Sequence, residues 1–290
     1  MRIVILSTML TDRRGVGEWG FSALVETGGH QLLFDTGGRP DTVLRNAEAL
    51  GLDLASIEEV VLSHGHWDHT GGLVALRGEL RDRNPAALAR AHVGPGFFVQ
   101  RTRGGKPFSF SETARAEYEA LGGTFVEHDR PAELWPGVWI TGAVPRRHAE
   151  NNLPRDIYAQ TEQGPALDEV PEDTSVVLDG PEGLVVLTGC GHAGIVNTLE
   201  AARAMVRGAR VSAVVGGLHL YEADEATLEW TGAQLQRFGV AHILGTHCTG
   251  IEAVFRLRAS AGLDRHSCVV GAVGASYEVG KGIDPGSLAR

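Results

Sequence analysis

Three histidines and an aspartate fall within one short stretch, His64-x-His66-x-Asp68-His69, straight after the apolar, β-branched run Val60-Val61-Leu62. The run reads as a buried strand and the motif as the loop leaving it. No other feature constrains the fold as much, because a loop can converge several side chains on one point only with a rigid strand end behind it. Alternate residues of an extended segment share a face, so His64 and His66 can grip one ion. Asp68 and His69, after a turn, can reach a second. Imidazole nitrogen and carboxylate oxygen suit zinc, manganese or iron. The expected cofactor is one or two divalent ions per chain, zinc first, with manganese and iron also compatible.

Later strands end the same way. Leu184-Val185-Val186-Leu187-Thr188 is followed by Gly189-Cys190-Gly191-His192, a second strand ends at Gly216-Gly217-Leu218-His219, and a third at Gly245-Thr246-His247-Cys248. His192 is a candidate ligand. Cys190 either ligates beside it or packs as a small buried residue, and Cys248 is expected to pack. His219 is expected to contact substrate or carry a proton.

Strands are expected at 2–7, 21–34 (turning at Gly28-Gly29), 59–62, 123–127, 137–141, 174–178, 183–188, 211–215, 241–244 and 267–270. Helices are expected at 40–51, at Ser56, over 70–91, and at 194–207, 224–237 and 250–261. Strands alternating with helices argue an α/β protein, and without repeats or a linker residues 1–290 read as a single domain. Residues 145–173 are polar, hold four prolines and show no periodicity, as a lid or substrate loop would. Arg146, Arg147 and Glu150 are its candidate substrate-binding groups, since Arg matches carboxylate or phosphate oxygens bidentately.

A formal net charge of −10 gives no basic footprint for nucleic acid, although Arg101, Arg103, Lys106, Arg146 and Arg147 could form a local patch. No apolar run approaches a membrane span. Met1-Arg2-Ile3-Val4-Ile5-Leu6-Ser7 enters a strand without an export signal. Three cysteines make no disulfide framework. The expected setting is cytoplasmic, with a small anionic substrate as partner, neither nucleic acid nor membrane bound, and a homodimer compatible.

The His-x-His-x-Asp-His motif resembles the hallmark of the metallo-β-lactamase-fold superfamily. The stretch Phe21–Gly38, ending Asp35-Thr36-Gly37-Gly38, is similar to that superfamily's opening hairpin. The later turns resemble a narrower subgroup, which includes an archaeal synthase joining a dihydropterin to a ribofuranosyl-aminobenzene phosphate, and bacterial metal-dependent hydrolases. The resemblance implies a four-layer αβ/βα sandwich, two mixed sheets face to face with helices outside. It also implies metal ligands at His64, His66, Asp68, His69 and His247, with His192 in place of a histidine usually supplied by an earlier turn. His148 lies near that turn but out of register. Cys190 stands where the family usually has a bridging Asp; a thiolate can bind zinc or iron but is softer. Asp68, as in the family, would also help orient an attacking water, which two close ions can activate. The implied activity is hydrolysis of a small anionic ester, phosphoester or lactone. The alternatives are a pterin-type synthase, and a sensor that binds its ligand without turnover.

Overall fold

The structure, a computed structural model, describes residues 1–150 and 152–288. Its first half runs β1 (Arg2–Ser7), β2 (Ser22–Thr27), β3 (His30–Phe34), α1 (Thr42–Leu50), β4 (Glu59–Val61), α2 (Trp67–Thr70), α3 (Leu73–Arg81), β5 (Arg90–Val93), β6 (Arg101–Arg103), β7 (Lys106–Pro107), α4 (Glu112–Ala120) and β8 (Thr124–Glu127). The second half runs β9 (Ala132–Trp135), β10 (Val138–Ile140), β11 (Ile157–Thr161), β12 (Gly164–Leu167), β13 (Val176–Gly180), β14 (Gly183–Thr188), α5 (Ile195–Met205), β15 (Val211–Gly216), α6 (Glu225–Phe238), β16 (His242–Gly245), a 3-10 turn (His247–Thr249), α7 (Ile251–Ser260), β17 (Cys268–Val270), β18 (Ser276–Glu278) and β19 (Gly282–Asp284).

An eight-stranded sheet has the order β19-β18-β1-β2-β3-β4-β5-β8, and a seven-stranded sheet the order β17-β16-β15-β14-β13-β10-β9. Strand alternation shows how they stack. Ile3 and Ile5 of β1 meet Val185 and Leu187 of β14 in a core between the sheets. Val4 and Leu6 face the other way, onto Val43 of α1 and Leu73, Leu76 and Leu80 of α3. Leu184 and Val186 face Leu199 of α5, Leu235 of α6 and Leu257 of α7. The result is an α/β sandwich of four layers, helix–sheet–sheet–helix. Strands buried on both faces must be apolar throughout, which explains the unbroken Leu184–Leu187 run.

Each sheet is part antiparallel and part parallel. The parallel pairs are β3-β4, β4-β5 and β5-β8 in one sheet, and β14-β15, β15-β16 and β16-β17 in the other. In open α/β sheets the carboxyl ends of parallel strands are where ligands bind. Here the chain leaving β3, β4, β14, β15 and β16 carries Asp35, His64–His69, Cys190–His192, His219 and His247 respectively.

Several elements differ from expectation. Segment 145–173 is irregular only in part: over 157–167, β11 and β12 form a hairpin whose β11 pairs with β6 in a third, four-stranded sheet, and Asn151 lies outside the described residues. The stretch at Ser56 is a turn. Residues 70–91 hold only the end of α2, then α3 and the start of β5. α4 was not anticipated because it buries Tyr118 alone, so it shows no apolar stripe. Its start is nonetheless built locally, with the Ser111 hydroxyl accepting from Ala114 N.

Candidate metal centre

His64, His66, His69 and His192 each have one ring nitrogen committed to the protein. Asp35 is fully buried and accepts Ser63 N, Ser63 Oγ and His69 Nδ1, each at 2.7 Å. With the Ser63 hydroxyl proton on Asp35, His64 Nδ1 must donate to Ser63 Oγ at 2.9 Å. His66 Nε2 donates to Asp168 Oδ2 at 3.0 Å. His192 Nδ1 donates to the Asn152 carbonyl at 2.7 Å. These partners fix the tautomers and turn the remaining lone pairs inward. His64 Nε2, His66 Nδ1 and His192 Nε2 form one convergent group; Asp68, His69 and His247 form another. His64 Nε2 and His66 Nδ1 stand 2.9 Å apart. Two lone pairs at that distance repel unless a cation lies between them.

The electrostatics of the first group fit a cation as well. Burial holds His64 and His192 well below the ordinary imidazole pKa, and His66 below it, so these rings are neutral, the form that ligates metal. Burial also opposes charge on His69, yet Asp35 and Asp68 lift it to about 9. Although burial works against ionisation, His69 and His247 keep Asp68 well below the usual carboxylate range. Asp68 Oδ1, His192 Nε2 and both ring nitrogens of His247 are buried with no hydrogen-bond partner among the described residues. Orphaned buried polar atoms are rare and call for an explanation. The donor set fits a divalent ion.

Cys190 Sγ lies 3.1 Å from His69 Nε2 and 3.3 Å from Cys248 Sγ. Burial pushes the Cys190 thiol well up, which a bound cation would reverse. His219 and His247 both adopt left-handed backbone, φ 48° and 47°, a conformation that costs a non-glycine residue strain and clusters at functional sites. His219 lines the cavity over the centre and its Nδ1 has no partner among the described residues.

Around the histidines lies a buried charge network that the sequence reading missed. Arg101, almost fully buried, donates Nε to Asp168 and Nη2 to Glu172, both at 2.7 Å. Glu172 in turn accepts Gly65 N inside the motif at 3.1 Å. Asp173 accepts Ala193 N at 2.8 Å, and burial pushes its carboxyl up to about 7. The only sequence signal was the acidic content of segment 145–173, which does not say which charges face inward.

The cavity over the centre, about 260 Å³, has aromatic walls at Trp19, Phe108 and Tyr221 and carries Arg103 and Arg155. Neither Arg146, Arg147 nor Glu150 reaches it. Arg146 donates to the carbonyls of Glu169 and Val170. Arg147 bonds Asn197 through its backbone N, and Glu150 accepts Val196 N and Asn197 N at the start of α5. An anionic side chain there satisfies the helix's first N–H groups. His148 pairs with Glu200 at 2.9 Å, so His192 is the histidine brought to His64 and His66. Arg101 is buried and Arg103 pairs with Asp156 at 2.7 Å, which dissolves the basic patch as one surface.

The profile of the metallo-beta-lactamase superfamily matches residues 20–208. The chain belongs to this superfamily. It is 29% identical over 241 residues to the 7,8-dihydropterin-6-methyl-4-(beta-D-ribofuranosyl)-aminobenzene-5'-phosphate synthase of Methanocaldococcus jannaschii, covering 81% of this chain and 82% of the relative. The crystal structure of Tm1679, described as a metal-dependent hydrolase of the beta-lactamase superfamily, superposes with a TM-score of 0.80 at 29% identity, covering 96% of this chain and 99% of that one. Zinc-bound PqqB from Methylobacterium extorquens shares the fold at 16% identity, with a TM-score of 0.56 and coverage of 96% and 100%. Superfamily members of this kind are enzymes, hydrolases or a synthase. Among the described residues no helix is long and apolar enough to cross a membrane.

Proposed function

We propose that this chain is a metal-dependent hydrolase acting on a small anionic ester, phosphoester or lactone. The observation that carries this reading is the convergence of imidazole nitrogens, those of His64, His66, His69 and His192 with tautomers fixed by their partners, at the foot of a cavity. His64, His66 and His192 would hold one divalent ion, and Asp68, His69 and His247 a second, with Cys190 between them. When bound, such ions supply Lewis acidity and lower the pKa of a water.

The chain's own groups do the rest. Asp35 and Asp168 hold the rings of His69 and His66 in register. Arg103 and Arg155 replace Arg146 and Arg147 as the cations nearest an incoming anion, and Trp19, Phe108 and Tyr221 enclose its body and exclude water. His219, which lines the cavity, would exchange a proton with substrate or leaving group.

A synthase reading is favoured by two observations: the similarity to the archaeal enzyme, and aromatic walls that suit a planar ring. Turnover of candidate phosphate esters and lactones in ¹⁸O-labelled water separates the two. Label in the product supports hydrolysis. With an aromatic or pterin-like acceptor added, a coupled product without label supports transfer; no turnover with or without the acceptor counts against both readings.

A further inference from the structure

Cys248 directly follows His247 in the 3-10 turn after β16, and Cys190 lies in the turn that leaves β14. The two sulfurs meet across the end of β15, 3.3 Å apart, each side chain almost fully buried. The space for Cys248 is built: a Cβ on Gly217 would lie 2.9 Å from its sulfur and would collide with the Gly189 carbonyl. Cys190, His247 and Cys248 converge closely enough to share one ion, and His247 also belongs to the group with Asp68 and His69.

His247 already belongs to the second ion's group, and the two sulfurs lie within ligating reach of the same imidazole. Among the described residues both of its ring nitrogens are buried without a hydrogen bond, and Asp68 Oδ2 is 3.4 Å away. Thiols are weak donors and acceptors and do not satisfy an imidazole. A cation shared by the two sulfurs and His247 satisfies both sulfurs and one of the two ring nitrogens.

We infer that Cys248 joins Cys190 and His247 as a ligand of the second ion, making that position a two-sulfur site selective for a thiophilic cation. Soft thiolate ligands favour zinc over manganese or magnesium, so the pair would decide which metal the centre takes. This inference rests on the metal-dependent reading above.

Protein stripped with chelator and reloaded with cobalt(II) alone tests it. Wild type should show the near-ultraviolet sulfur-to-cobalt charge-transfer band. Its intensity per bound ion should fall by about half in Cys248→Ser and in Cys190→Ser, and vanish in the double variant. Full intensity in Cys248→Ser, or cobalt bound to wild type without the band, overturns the two-sulfur site and leaves the proposed function standing. Failure of wild type to bind cobalt overturns both. Should a variant not fold, alkylation of the native metal-loaded chain decides: Cys248 should become labelled only after chelation, and equal labelling before and after refutes ligation.

Discussion

Replacing Asp168 with Asn changes one oxygen of a side chain that does not touch the proposed metals, yet it should weaken the first position specifically. Asp168 Oδ2 accepts both Arg101 Nε at 2.7 Å and His66 Nε2 at 3.0 Å, while Oδ1 accepts Val170 N at 3.0 Å. With its proton no longer drawn to Nε2, His66 can place it on Nδ1, the nitrogen that faces His64. Partners of this kind typically hold tenfold to hundredfold in metal affinity, or about 1.4–2.7 kcal/mol. Folding should suffer as well. Breaking a buried ion pair costs about 3–5 kcal/mol; Arg101 keeps Glu172, so about 3 kcal/mol is expected for Asp168→Ala. About 1.5–3 kcal/mol is expected for Asn, the loss of a charged hydrogen bond. The assay is zinc titration calorimetry beside urea unfolding of the stripped protein. Asp156→Asn is the control, since its pair with Arg103 is about half exposed and exposed pairs contribute at most about 1 kcal/mol. Wild-type affinity and stability in Asp168→Asn would refute the idea that the buried charges orient His66.

Removing Arg103 or Arg155 should lower kcat/KM for the anionic substrate about tenfold, or about 1.4 kcal/mol, and less at high salt. Arg146→Ala should leave kcat/KM unchanged in the same assay. Asp173 gives a pH signature. Its pKa is raised to about 7 by burial, so the fold favours the protonated form. The stability it contributes is complete below about pH 4 and is lost as pH rises towards 7, at up to about 1.4 kcal/mol per unit. Asp173→Asn should flatten urea midpoints of stripped protein over that window, and an unchanged slope would contradict the assignment. Gly217→Ala should destabilise by about 1–3 kcal/mol through overpacking, read as a lowered Tm.

The motif was legible because its chemistry is concentrated in sequence. His64, His66, Asp68 and His69 leave one strand, and His192 and His247 each follow a short strand with an apolar centre. The α/β class was legible from strand–helix alternation, and the four-layer sandwich only from the resemblance. The supporting shell was not, because Asp35, Arg101, Asp168 and Glu172 reach the histidines from positions up to 107 residues away in sequence. Only tertiary packing reveals that these charges are buried and paired. The hairpin β11–β12 hid for a related reason: Tyr158, Gln160 and Leu167 are largely exposed, so no apolar alternation marks it. Arg146 and Arg147 drew attention as a charged pair in a polar loop, but a long guanidinium finds backbone carbonyls as readily as an anion.

The central claim is that the histidines hold metal through nitrogens chosen by their partners. A crystal structure of the metal-loaded protein, with anomalous differences collected at the zinc edge, tests this most directly. The account predicts one peak among His64 Nε2, His66 Nδ1 and His192 Nε2, and a second beside Asp68, His69 Nε2 and His247, with the His66–Asp168 bond intact. A first peak bound through His66 Nε2, or no peak at either position in protein that retains zinc, would contradict it.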